Sequence, residues 1–76
     1  MEDQILFRLK RGQNDAIYFR LREYKGRKYI DLRLFFKPED QEEMYPTKKG
    51  LAIPLDLFGE FKKAIVNCEK QLTANT

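Results

Sequence analysis

Apolar and polar side chains alternate through the first half of the chain with a period of two residues. In one run, Ile17, Phe19 and Leu21 alternate with Tyr18, Arg20, Arg22 and Tyr24. In the next run, Ile30, Leu32 and Leu34 alternate with Tyr29, Asp31, Arg33 and Phe35. Successive side chains of a β-strand point to opposite faces of the sheet. The pattern therefore predicts two strands that share one apolar face and one face of arginines and aromatic rings.

Turn signals and further apolar runs extend this prediction to four strands. Residues 12–15 and the pair Lys25-Gly26 have turn chemistry, and Gly26 can adopt the positive φ that a tight turn needs. A polar, acidic loop is predicted over 38–43 and a second turn over 45–47. The predicted strands lie within residues 4–53 and cover 5–9, 16–24, 27–36 and 48–53.

One amphipathic helix is predicted after the strands, over about residues 54–72, which makes the element order β-β-β-β-α. Pro54 suits a first helical turn, because its missing N–H would be unpaired there anyway. Apolar residues then recur every three or four positions and form one stripe along the helix. The members of this helix stripe are Leu57, Phe61, Ile65, Cys68 and Leu72. Phe7, Phe19 and Phe61 are predicted to be core residues.

The length of the chain, 76 residues, predicts one domain over 1–76 with limited stability. A chain this short buries only about 60% of the surface that its unfolded form exposes. Cys68 is the only cysteine and histidine is absent, so an internal disulfide is excluded and the commonest metal ligand is missing. Small domains without such supports rely on association, and the helix stripe is expected to be shared with a partner. A homodimer is therefore the expected form.

Positive charge is concentrated where the strands are predicted. Residues 1–36 carry nine Lys or Arg against five Asp or Glu, residues 37–49 carry three against four, and residues 50–76 carry three against three. This asymmetry indicates an anionic partner. A sheet face with both guanidinium groups and rings suits single-stranded nucleic acid, because the cations meet phosphates and the rings stack on unpaired bases.

Three short segments, in this order and at this spacing, resemble a known family. They are an aromatic-Lys-Gly-basic turn at 24–27, an Ile-Asp-aliphatic-Arg strand at 30–33 and a Lys-Gly pair at 49–50. From about Ile17 to Ile65 the chain resembles the single-stranded-DNA-binding domain of the transcriptional coactivator positive cofactor four. The resemblance implies an α+β fold, a four-stranded antiparallel sheet followed by a C-terminal helix. It also implies a homodimer that binds single-stranded DNA with little sequence preference.

The resemblance also implies which residues contact DNA. Carried over position by position, they are Arg22, Tyr24, Lys25, Arg27, Arg33, Phe36 and Lys49. The family commonly has tryptophan at the position of Phe36. A regular strand places Arg33 and Phe36 on opposite faces, so Phe35 is the alternative stacking ring. The alternating pattern adds Tyr18 and Arg20 as candidates for nucleic-acid binding.

The short segment before the first predicted strand sets this chain apart from the eukaryotic members, which carry a long serine-rich, acidic region there. Only four residues precede the strand here. We therefore expect a stand-alone bacterial or phage member. The lone thiol fits a reducing cytosol, and no apolar run approaches the ~18 residues of a membrane span. The expected location is the cytoplasm, at the bacterial nucleoid, with no membrane partner.

Other functions remain open at this point. The arginines could form only a solvated strand face, with Asp31 and Glu23 as cross-strand partners. The domain could bind RNA, because stacking platforms also serve unpaired RNA, or act as a protein-interaction adaptor in transcription. An enzyme is the weakest interpretation, since no glycine loop for phosphates and no clustered nucleophile and base are present. No cofactor, metal or small-molecule substrate is expected, and the acidic loop is interpreted as solvated.

Overall fold

The structure is a computed structural model and describes residues 4–74. Four strands form one antiparallel sheet in the order β1-β2-β3-β4, and one helix follows. The predicted order of elements and the α+β class are therefore confirmed. The elements are β1 Gln4–Lys10, β2 Asp15–Tyr24, β3 Arg27–Phe36, β4 Tyr45–Pro54, a 3-10 turn Leu55–Leu57 and α1 Phe58–Ala74.

The predicted tight turn between β2 and β3 is confirmed. Lys25 has φ 51° and Gly26 has φ 78°, and positive φ at both central residues is what a two-residue type I′ hairpin requires. This turn sets an unbroken register from Tyr24 opposite Arg27 to Asp15 opposite Phe36. Because directly opposed residues share a face, the hairpin fixes which side chains meet on each side of the sheet.

The fourth strand is longer than predicted, and the predicted turn at 45–47 is wrong. Arg33 lies opposite Gly50 and Phe35 lies opposite Pro46, so three residues of β4 face one residue of β3. The hydroxyl of Thr47 donates to the carbonyl of Leu34 at 2.8 Å and accepts the backbone N–H of Lys49 at 3.1 Å. Residues 47–49 therefore form a bulge within the strand. The residues that suggested a turn lie in this bulge or directly before it.

Gly50→Ala is expected to lower the free energy of unfolding by about 1–3 kcal/mol, the range for overpacking. A Cβ at Gly50 would collide with the Leu32 carbonyl oxygen and lie 2.9 Å from the Arg33 Cα, because β3 and β4 approach closely here. Gly59→Ala is the control: a Cβ there meets nothing within 4 Å, and alanine in a helix is favoured by roughly 0.5–1 kcal/mol. Denaturant titration measures both, and equal effects would contradict the close approach.

The two faces of the sheet differ in composition as predicted, but burial is not on the side expected. The strand register places Tyr18, Arg20, Asp31, Arg33 and Phe35 on one side, here called the basic aromatic face. The buried cluster of the chain lies on this face and consists of Ala16, Tyr18 and Phe35, with Met44 packed against it.

The opposite side of the sheet, here called the apolar face, is largely uncovered. Of its residues, Ile30 and Ile53 are buried, where the start of β3 and the end of β4 lie beside the 3-10 turn. Phe7, predicted to be core, is 60% exposed, and Phe19 is half-buried. Within residues 4–74, no element covers the part of this face formed by β1 and β2.

The helix begins later than predicted and covers little of the sheet. Pro54 has φ −55° and ψ 143°, an extended conformation that ends β4, and α1 starts at Phe58. No residue of α1 is buried, and in the helix stripe Ile65 and Leu72 are among the exposed large apolar residues of the chain. Within residues 4–74, this helix is neither long enough nor apolar enough to cross a membrane.

The chain has the dimensions of a plate, 43 × 37 × 18 Å. Its radius of gyration is 14.7 Å, whereas a compact chain of this length has about 11 Å. Its accessible surface is 6457 Å², whereas a compact monomer of this mass exposes about 4,900 Å². The chain therefore leaves about 1,500 Å² more surface in water than a closed globule would.

Candidate nucleic-acid interface

The basic aromatic face brings together most of the residues predicted to bind nucleic acid. Strand β2 contributes Tyr18, Arg20, Arg22 and Tyr24, and strand β3 contributes Arg27, Arg33 and Phe35. Lys25 lies in the turn that joins these strands, and Lys49 lies in the bulge of β4 at the edge of the sheet. Guanidinium groups, amines and rings therefore occur on one continuous side of the molecule.

The rings of Tyr18 and Phe35 stack on each other. Their centroids are 4.0 Å apart and the rings are 7° from parallel. The guanidinium of Arg8, from β1, lies 5.3 Å from the Tyr18 centroid, and that of Arg20 lies 5.0 Å from the Phe35 centroid. Both rings are buried. Each ring packs against the other and against a guanidinium group, so the pair is a fixed part of this face.

A carboxylate at the centre of the face holds two of the predicted arginines. Asp31 is 3% exposed, and its Oδ2 accepts Nη2 of Arg20 at 2.8 Å and Nε of Arg33 at 3.2 Å. Its Oδ1 accepts Nη2 of Arg33 at 2.9 Å. Burial opposes ionisation, but the hydrogen bonds from Arg33 and then Arg20 outweigh it and lower the pKa of Asp31. The same contact raises the pKa of Arg33, so this cluster carries one net positive charge.

Arg33 also connects this cluster to the bulge of β4. Its Nη1 donates to the backbone carbonyl of Thr47 at 3.1 Å, and Thr47 in turn holds the N–H of Lys49. The backbone position of the exposed Lys49 is therefore linked, through Thr47, to the contacts that fix Arg33.

The hairpin end of the face is open to solvent. Tyr24 is 65% exposed, and Nζ of Lys25 lies 5.4 Å from the centre of its ring. Arg22 and Arg27 are exposed beside it, on the same face. This end therefore presents a ring that a base could stack on, together with cations within reach of a flanking phosphate.

Phe36 lies away from the other predicted site residues. It is opposite Asp15 and Tyr45 on the apolar face, because β3 stays regular against β2 through Phe36. Phe35, the alternative ring, shares the face of Arg33 but is buried in the stack with Tyr18. Tyr24 is therefore the predicted stacking ring that lies on the basic aromatic face and is also exposed to solvent.

Arg8 was not predicted to belong to this face, and the role of Asp31 was predicted only in part. Arg8 lies opposite Tyr18, and the alternation of Phe7 and Leu9 with Arg8 and Lys10 in β1 could have indicated it. Asp31 was considered only as a cross-strand partner, whereas it binds two arginines at once. Among residues 4–74, no group of three or more His, Cys, Asp or Glu side chains is placed to hold a metal ion.

Comparison with known sequences gives a consistent assignment. Residues 13–64 match the sequence signature of the family Transcriptional Coactivator p15 (PC4). A Caenorhabditis elegans protein assigned as an RNA polymerase II transcriptional coactivator is 22% identical over 77 residues, which cover 92% of this chain and 62% of that protein. The chain therefore spans less than two thirds of the length of this relative.

Solved structures share the fold. A PC4 homolog from Burkholderia pseudomallei is 22% identical, with a TM-score of 0.81 over 90% of each chain. MoSub1, crystallised with single-stranded DNA, is 22% identical, with a TM-score of 0.62 over 91% of this chain and 78% of that one. The bacteriophage T5 homolog of PC4, implicated in recombination-dependent DNA replication, is 20% identical, with a TM-score of 0.57 over 97% of this chain and 77% of that one. With the family signature covering well over half of its residues, this chain belongs to the PC4 family.

Proposed function

We propose that the basic aromatic face binds single-stranded DNA with little sequence preference and without catalysis. The observation that carries this proposal is the exposed ring of Tyr24 among Arg22, Lys25 and Arg27, next to the ordered arginines around Asp31. MoSub1, a structural relative, was crystallised with single-stranded DNA. Relatives are linked to transcription and to recombination-dependent replication. Binding of the single strand is the step that we propose for this chain.

The residues of the face have different roles in this proposal. Exposed cations at the hairpin and at Lys49 contact phosphates, and Tyr24 stacks on a base. Arg20 and Arg33 are held in fixed positions by Asp31, and the Phe35 ring of the buried stack also packs against Arg20. Phe36, on the opposite side of the sheet, is not assigned a contact in the proposal.

The test of this function is a titration with single-stranded and duplex DNA of equal length at two salt concentrations. We expect tighter binding to the single strand, because a ring can stack only on an unpaired base and each stack contributes about 1–3 kcal/mol. A matched RNA oligomer in the same titration measures the preference for DNA. Equal affinity for single strand and duplex would contradict the proposal, and tighter binding to RNA would redirect it.

Lys49→Ala is expected to weaken binding to all sequences alike. Loss of one phosphate contact should reduce the slope of log affinity against log salt by about 0.7, the value for a single strand. Lys49 is better suited to this test than Arg33, which also holds Asp31 and Thr47. Lys70→Ala, on the exposed helix, is the matched control and should leave the slope unchanged. An unchanged slope for Lys49→Ala would remove this residue from the interface.

We further propose that the functional form is a homodimer joined through the helix and the apolar face. Large apolar side chains are exposed on both: Phe7, Leu9 and Leu51 on the sheet, and Ile65 and Leu72 on the helix. Several large apolar side chains exposed on one face of an element are typical of an interaction site. A second copy can cover it, because the same two apolar surfaces occur on each chain.

The exposed area also agrees with a dimer. The excess of about 1,500 Å² over a compact monomer exceeds the ~800 Å² that each partner buries in a standard interface. Burial of most of it would give an interface in the size range of obligate homodimers. Pairing would also place two basic aromatic faces on one particle, so that one DNA strand could engage both and gain avidity.

A further inference from the structure

A cavity of about 290 Å³ opens on the basic aromatic face, between the hairpin end and the arginine cluster. Its walls come from β2, β3 and β4 and include charged side chains as well as two tyrosine rings. The lining residues are Arg22, Glu23, Tyr24, Tyr29, Asp31 and Ala52. Tyr29 and Ala52 have no role in the interface described above.

The register of the sheet explains why the cavity is there. Asp31 lies opposite Ala52 on β4, and a single methyl group fills little of the space beside an aspartate and a tyrosine. Two pairs further along, Gly50 has no side chain, but the guanidinium carbon of Arg33 lies only 3.1 Å from where a Cβ would be and occupies that space. The guanidinium groups therefore fill the sheet on one side of Ala52 and leave it open on the other.

The chemistry of the walls favours a base over a phosphate. Most of the lining is uncharged or already paired: two walls are aromatic rings, a third is the methyl group of Ala52, and the Asp31 carboxylate is bonded to Arg20 and Arg33, which leaves Arg22 as the one cation among the lining residues. The rings of Tyr24 and Tyr29 offer flat surfaces, which suit a neutral, planar group with polar edges. Tyr24 is exposed and Tyr29 is half-buried, so the first ring lies towards solvent and the second lies deeper.

We propose that this cavity is a pocket for one unpaired nucleobase, with Tyr24 and Tyr29 as its aromatic walls and Ala52 as the residue that keeps it open. This inference rests on the proposed binding of single-stranded DNA to the same face. In it, one base of the bound strand leaves the stack of its neighbours and enters the pocket. Its contribution to affinity comes from the base and is independent of phosphate contacts.

Ala52→Leu provides the test, because the larger side chain fills the cavity from an exposed position of an edge strand. Two oligomers of equal length are titrated at several salt concentrations: oligothymidine, and the same backbone with abasic sites throughout. We expect Ala52→Leu to bind oligothymidine about 5- to 150-fold more weakly, the equivalent of one base–aromatic stack. The salt slope and the affinity for the abasic oligomer should not change, because no phosphate contact is lost.

Controls separate the pocket from the fold and from the proposed function. Ala74→Leu makes the same chemical change at the last described residue of the helix and should bind as the unmutated protein does. Tyr29→Leu removes an aromatic wall without filling the cavity, and it should reproduce the loss on oligothymidine if Ala52→Leu fails to fold.

The other possible results would overturn either the pocket alone or the pocket together with the proposed function. Normal binding of oligothymidine by folded Ala52→Leu or Tyr29→Leu would overturn the pocket and leave binding by the face intact. Equal weakening on both oligomers, or a changed salt slope, would also overturn the pocket, because it would mean that phosphate contacts were lost. Failure of the unmutated protein to bind either oligomer would overturn the proposed function together with the pocket.

Discussion

Replacing Asp31 with alanine is expected to lower the free energy of unfolding by about 3–5 kcal/mol, the range for removing one partner of a buried ion pair. The carboxylate is almost fully buried and accepts hydrogen bonds from both Arg20 and Arg33. Without it, two guanidinium groups would lie close together on the sheet with no counter-charge. Since small domains have only about 5–15 kcal/mol of stability in total, this change should bring the protein close to unfolding.

Denaturant titration measures this effect, with Asp40→Ala as the control. Asp40 lies exposed in the loop between β3 and β4, where such a change is expected to stay within about 0.5 kcal/mol. An equally small effect of Asp31→Ala would show that the arginine cluster does not support the fold.

The pH dependence of the free energy of unfolding tests the same carboxylate, because protonation removes its charge and leaves the side chain in place. The pKa of Asp31 is lowered in the folded state. Its contribution is therefore complete above its unfolded pKa of about 3.9 and is lost as the pH falls through the lower pKa of the folded state. The free energy of unfolding should fall below about pH 4, and Asp31→Asn should flatten that part of the curve. A curve of unchanged shape in Asp31→Asn would contradict the assignment.

Ile65→Glu is expected to convert the protein from a dimer into an unstable monomer and to weaken its binding of long DNA strands. Ile65 is 53% exposed in the single chain. A substitution at such a position ordinarily changes stability by no more than about 0.5 kcal/mol. A large effect would thus have to come from a partner that buries this side chain and would leave the new carboxylate desolvated.

Analytical ultracentrifugation at low micromolar concentration gives the oligomeric state. The unmutated protein should sediment at about twice its mass of 9.1 kDa. Asn67→Glu is the matched control, because it adds the same charge to the same helix on the side lined by Lys63 and Lys70. A folded, stable monomer in the unmutated protein would refute the dimer.

Much of the sheet could be predicted because strand periodicity depends only on local backbone geometry. The alternation in β2 and β3 correctly assigned Arg33 and Phe35 to one face and Phe36 to the other. The Lys25-Gly26 pair correctly located the hairpin turn, because few residues other than glycine accept positive φ at low cost. Each of these predictions needed only residues that are neighbours in sequence.

The burial and packing of the candidate site residues could not be predicted in the same way, because they depend on which side chains meet across strands. Phe35 lies opposite Ala16, whose small side chain leaves room for the ring to stack on Tyr18. Tyr18 and Arg20 are consequently buried, although alternation alone indicated an open binding surface. The bulge of β4 and the uncovered helix also depend on contacts beyond the local sequence.

The hydrogen bonds around Asp31 have a further consequence for how a strand of DNA would be held. Arg20 and Arg33 are ordered by the folded chain itself, so little of their side-chain entropy remains to be lost on binding. Lys25 and Lys49 are exposed, so more of their side-chain entropy remains to be lost when a ligand binds. The interface thus combines two arginines in fixed positions with two lysines whose side chains can adapt to the ligand. Such a surface should fix one point of the strand firmly while the flanking nucleotides exchange between several paths.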